Sequence, residues 1–215
     1  MNSKILHSDR DLYFLCRNEP KPHNDKWATV SCEIDEFGKA VRAYFSPLDA
    51  MIDAFFHSNS TGRYRAIPSA IFDLSDLIAD HDNQLAVSFQ VAWAAHANQI
   101  LLRPSGKLAA CSIAKCCQIN DDESAIYFPS PGLAQKLHKR LLEISGIEGW
   151  EKSVNEFKSL PSLKRDEIAI NAIRRIPATC SGRACDELVL YDLNAGQWKF
   201  SPYSLVEDLL RGYES

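Results

Sequence analysis

Glycine is scarce in this chain, with nine in 215 residues. Phosphate cradles built from backbone amides need glycines in fixed clusters, and neither GxGxxG nor the GxxxxGK loop occurs. The nucleophile elbow GxSxG and the zinc pair HExxH are also missing. No apolar stretch approaches the ~18 residues of a membrane-spanning helix, because charged or polar groups interrupt every run. The opening segment, Met1 to Arg10, contains no apolar signal core. Charge of one sign does not dominate: 24 Lys and Arg face 28 Asp and Glu, a net charge of −4. These absences remove the nucleotide-cradle, hydrolase-elbow and zincin classes. They lead to the expectation of a cytosolic protein with no cofactor and no membrane association.

What is present is architectural. Three aromatic-ended extended runs pass directly into Ser-Pro: Tyr44-Phe45-Ser46-Pro47, Tyr127-Phe128-Pro129-Ser130-Pro131 and Lys199-Phe200-Ser201-Pro202. Serine caps the open amides of a first helical turn, and proline at the first helical position forfeits no hydrogen bond. Each run therefore predicts a strand feeding a helix, with Ser46, Ser130 and Ser201 as caps. Leu48, Met51, Ile52, Phe55 and Phe56 supply an apolar stripe for the first helix. The clearest strand is Leu85 to Trp93, which alternates strictly. With Gln99–Arg103, Lys107–Ile119 and Ala125–Phe128 it predicts a four-stranded antiparallel meander.

Helices are predicted from Ser130 to Gly146, Trp150 to Leu160 and Ser162 to Ile176, the last with Leu163, Ile170, Ile173 and Ile176 as its stripe. A hairpin follows around Asn194-Ala195-Gly196, and it parallels the one around Asp35 to Lys39; the likeness reads first as two unrelated hairpins ending in common helix-start chemistry, with a duplicated hairpin–helix unit as the alternative. Strands clustered ahead of helices favour an α+β class: antiparallel hairpins and meander with four to six helices, in one domain over 1–215. Within it, 1–84 reads as a hairpin–helix sub-unit, 85–146 as a meander plus helix, and 147–215 as helices plus a hairpin–helix.

Chemistry is harder to find. Asp80-His81-Asp82 is the only place where carboxylates flank a histidine; it reads as a metal or acid–base cluster, or as a solvated turn. Cys111, Cys116, Cys180 and Cys185 make two C-x4-C pairs, the spacing of a loose thiolate zinc site. In a strand, however, positions five apart face opposite sides. Cys180 near Arg183 has the setting of an activated thiol. His96 has no activating neighbour in sequence.

Charge is distributed unevenly. Residues 1–99 hold 9 basic against 13 acidic side chains, 100–185 hold 13 against 9, and 186–215 hold 2 against 6. Between 43 and 99 only Arg63 and Arg65 oppose six aspartates. Such a surface repels nucleic acid and attracts a basic partner. The leading expectation is a non-catalytic, cytoplasmic protein that binds a basic protein, in the manner of an immunity or inhibitor protein neutralising a toxin. Its contact residues are expected among Asp73, Asp76, Asp80, Asp82, Arg63 and Tyr64. A Cys-dependent or zinc-binding enzyme is the first alternative. A nucleic-acid binder through the basic helices of 130–176 is the second.

Overall fold

The computed structural model describes residues 4–8, 10–18, 28–35, 38–58, 62–120, 125–127 and 132–211. In chain order the elements are β1 (Ile5–His7), β2 (Tyr13–Asn18), β3 (Ala28–Val30), β4 (Cys32–Asp35), β5 (Gly38–Tyr44), α1 (Pro47–His57), β6 (Arg63–Pro68), α2 (Ser75–Ala79) and β7 (Gln84–His96). There follow β8 (Gln99–Leu102), β9 (Ala110–Gln118), β10 (Ala125–Tyr127), α3 (Gly132–Ile144), α4 (Trp150–Ser159), α5 (Ser162–Arg174), β11 (Thr179–Ser181), β12 (Glu187–Asp192), β13 (Gln197–Pro202) and α6 (Glu207–Arg211). The class is α+β with mixed strand pairing. The expected antiparallel hairpins are joined by three parallel pairings, β1 with β10, β5 with β7 and β8 with β11.

The chain divides into two compact units, each discontinuous in sequence: Met1–Gln90 with Ile113–Gly132, and Val91–Ser112 with Leu133–Ser215. Strand β7 gives its first half to one and its second half to the other.

In the first unit β2 is the organising strand. It pairs antiparallel with β6 along its whole length, with β5 through Tyr13 and Phe14, and with β3 through Cys16 to Asn18. The expected single strand Trp27–Ile34 is broken at Ser31, whose N–H bonds to Leu15 O at 2.6 Å while its carbonyl accepts from Arg42 N at 3.3 Å. The segment thereby leaves β2 and continues as β4 along β5. Ser46 caps α1 as its chemistry predicts, its Oγ accepting from Leu48 N at 3.1 Å with Pro47 in the first turn.

The stripe expected for α1 is only partly the one that is buried. Leu48 and Ile52 are enclosed, but Phe55 is 57% exposed. The enclosed face runs instead through Ala50, Asp53, Ala54 and His57. Ala50 and Ala54 pack against Tyr13, Leu15 and Tyr44. Small side chains there let the helix approach the sheet closely, which draws the neighbouring Asp53 and His57 inward.

In the second unit β12 pairs with the end of β7 and with β13, while β8 turns back on β7 and carries β11. The meander does not run in sequence order as expected: β9 pairs with β7, not with β8. β10 leaves it to pair with β1 in the first unit. Ser201 is not a helix cap: it lies within β13, with its Oγ 2.8 Å from Ser145 Oγ, and a 3-10 turn, Tyr203–Leu205, follows. The likeness between the two hairpins also stops at pairing. The first docks on β7 through its second strand in parallel, and the second through its first strand antiparallel.

Gly146 ends α3 in the left-handed region, φ +64°, and Ile147 N bonds back to Leu142 O at 2.9 Å. The expected cap Ser130 lies outside the described residues. On α5, Leu163 is 80% exposed and the buried residues are Ala169 and Ala172. The alanine face admits Trp198, whose Nε1–H donates to Ala172 O at 3.0 Å. A bulky stripe would have held that indole away.

Candidate functional site

The four aspartates expected to meet a partner separate into two groups. Asp73 is half-buried and structurally committed: its Oδ1 accepts from Lys4 N and Ser75 N at 3.0 Å each and from Ser75 Oγ at 2.5 Å. It ties the N-terminal segment to the start of α2. Asp76, Asp80 and Asp82 are exposed.

Asp76 on α2 and Asp80, the residue that closes its C-terminus, are one helical turn apart, with Asp80 N bonded to Asp76 O at 3.0 Å. The chain then turns through Asp82 and Asn83 at φ of 52° and 59°, a region that Asp and Asn tolerate better than most residues. Backbone bonds from Asn83 N to Ile78 O and from Ile119 N to Asn83 O hold that turn at 3.0 and 2.7 Å. The carboxylates are thus presented by a fixed corner. Beside it lies a polar depression of about 260 Å³ lined by Lys39, Asp80, His81, Asp82, Gln84, Ala86 and Cys116. The His81 ring places Nδ1 2.7 Å from Leu77 O. Since a carbonyl only accepts, Nδ1 carries the proton.

Arg63 and Tyr64 sit on β6, away in sequence from that corner. Arg63 is exposed, whereas Tyr64 is half-buried with its ring 5.4 Å from that of His57 in edge-to-face contact. β6 pairs only with β2 among the described strands. Arginines on such an edge discourage pairing with another chain.

A buried ionic cluster in the first unit lies outside the expected site residues. Arg42, in the middle of β5, is 2% exposed, and Asp53 is fully buried. Arg42 Nη1 donates to Asp53 Oδ2 at 2.5 Å, and the Tyr44 hydroxyl donates to the same oxygen. His57 Nε2 lies 3.2 Å from Arg42 Nη1 and 3.5 Å from Asp53 Oδ2. Arg42 Nε reaches Glu33 Oε2 at 3.4 Å, and Ser88 Oγ donates to Glu33 Oε1 at 2.6 Å.

Burial works against the Arg42 charge, but Tyr44, Asp53 and Glu33 outweigh it and hold its pKa above the ordinary value. Burial, then the Asp53 charge, pushes the Tyr44 phenol well up. Arg42, Tyr44, Asp53 and His57 are buried, so the cluster positions α1 and is not placed to meet a substrate. One signal in the sequence pointed to it. Arg42 interrupts the apolar run from Ala40 to Phe45, and Asp53 and His57 recur at i, i+4 on the helix that follows.

The cysteines are set against thiolate chemistry where their ionisation is shifted. Burial pushes Cys16 and Cys111 up to about 12 and also raises Cys32 and Cys185. Cys111 and Cys116 share strand β9. Among the described residues no group of three or more His, Cys, Asp and Glu is arranged to hold a metal ion. His96 does have a partner: its Nδ1 lies 2.9 Å from Asp186 Oδ2, ninety residues on in sequence.

The basic side chains of α3 to α5 are interleaved with acids. Arg140 pairs with Glu143 at 3.4 Å, Lys152 with Glu156 at 3.8 Å and Lys164 with Glu167 at 2.8 Å. A wider depression of about 450 Å³ at the α3–α4 corner has Trp150, Leu142 and Ile147 on its walls and charges of both signs at its rim. Among the described residues no helix is long and apolar enough to cross a membrane.

No family model, curated protein or solved structure matches this chain.

Proposed function

We propose that this protein acts by binding a basic protein partner through the acidic corner of α2 and the turn into β7, as an immunity- or inhibitor-type protein neutralising that partner. One observation carries the reading: Asp76, Asp80 and Asp82 stand exposed within seven residues on a turn held by backbone bonds. Exposed carboxylates on a backbone held in place steer a cationic surface into contact and set its orientation. The rival readings have less support. Four thiols are raised in pKa, away from nucleophilic use, and three cations on α3 to α5 are neutralised by acids one turn away.

The test is capture of basic proteins from cell extract at low salt by the full chain and by the variant Asp76→Asn, Asp80→Asn, Asp82→Asn. Association kinetics on the captured partner follow. The expected result is a drop of roughly tenfold or more in the association rate, with a flatter salt dependence. Equal rates for the two chains at low salt would sink the assignment.

A further inference from the structure

Strands β5 and β7 run parallel with Arg42 beside Ser88 and Tyr44 beside Gln90, so these four side chains share one face of the sheet. Helix α1 brings Asp53 and His57 onto Arg42 and Tyr44. Gln90 is 5% exposed, and neither its Oε1 nor its Nε2 has a hydrogen-bond partner among the described residues. Two more enclosed atoms of this group are in the same condition, Arg42 Nη2 and Asp53 Oδ1. Buried polar atoms in folded proteins are nearly always paired, with protein or with ordered water.

The chemistry of the four orphaned atoms selects the occupant. Arg42 Nη2 and Gln90 Nε2 donate, while Asp53 Oδ1 and Gln90 Oε1 accept. A cation would serve only the acceptors and would lie against a guanidinium. An anion would serve only the donors and would lie against a carboxylate. A neutral molecule that both donates and accepts serves all four, and the burial of Arg42, Asp53 and Gln90 restricts it to a very small one.

We infer that these four atoms mark an internal hydration site, in which water bridges the Gln90 amide to the Arg42–Asp53 pair. A buried water makes about three hydrogen bonds, which this set supplies. Gln90 then matters to the ionic cluster without touching it: it holds the water that satisfies the second oxygen of Asp53. This inference is independent of how the acidic corner is used.

The experiment is a high-resolution crystal structure of the full chain, paired with thermal unfolding of Gln90→Met, a change of similar length and volume. Solvent density within hydrogen-bond distance of the Gln90 amide and of Arg42 Nη2 or Asp53 Oδ1 supports the site. So does a fall of about 2–4 °C in the Tm of the variant, because its thioether cannot hold the water. A dry chamber gives the opposite sign, since Gln90→Met then removes an unsatisfied buried amide. An unchanged or raised Tm, or a Gln90 amide bonded directly to protein with no solvent beside it, overturns the inference.

Discussion

Asp53 and Asp80 are the same residue type in the same unit, and the fold uses them in opposite ways. Asp53 is fully enclosed and shares one oxygen between Arg42 and Tyr44. Asp80 ends a helix in solvent, beside the depression at the acidic corner. A count of charges along 43–99 treats them alike. The difference shows that the acidic excess of this region overstates the charge a partner can feel, because one carboxylate is neutralised inside and a second, Asp73, is occupied by the chain's own amides. What remains for recognition is a smaller and better-fixed set.

The sharpest way to break this contrast is to remove the enclosed carboxylate. Asp53→Asn takes from buried Arg42 its nearer counter-charge, leaving only the longer contact to Glu33, and is expected to destabilise the protein by about 3–5 kcal/mol, read by urea unfolding. A loss below about 1 kcal/mol would mean that the pair is far more solvated than its burial indicates. An intermediate effect is expected from Tyr44→Phe, which deletes a hydrogen bond to a charged oxygen worth about 1.5–3 kcal/mol.

The Tyr44 variant also carries a pH signature. The Tyr44 phenol is raised above its ordinary 10.0 by burial and by Asp53, so the folded protein keeps this proton where the unfolded chain has lost it. The stability contributed by Tyr44 is therefore complete below pH 10.0 and is lost as pH rises above it. The gap in stability between the parent and Tyr44→Phe should narrow across that range. A gap that stays constant would show that the phenol ionises as freely folded as unfolded.

The smallest effect belongs to the exposed set. Asp76→Asn, Asp80→Asn and Asp82→Asn should each move Tm by no more than about 1–2 °C while altering association with a basic partner. A large stability loss from any of them would turn that carboxylate into a structural group like Asp53.

Local chemistry was readable where it depended on neighbours in the chain. Ser46-Pro47 starts α1, Gly146 stops α3, and the alternation of Leu85 to Trp93 is strand β7. Errors arose where a pattern had two solutions. The large residues on α1 and α5 implied one buried face, yet the alanines lie against the sheet, because close packing of backbone on backbone favours small side chains. Ser201-Pro202 repeats the motif of Ser46-Pro47 but continues a strand, since its backbone was already engaged in pairing with β12.

By itself the sequence determined the α+β class, the positions of most helix ends and the acidic bias of the region before β7, all of which follow from residues within a few places of one another. Only the tertiary structure decided which carboxylates face outward, that Arg42 meets Asp53, and that β5, β8 and β10 pair in parallel with β7, β11 and β1. Those outcomes rest on contacts between distant segments. Their cost and gain depend on burial, a quantity that a linear string of residues does not contain.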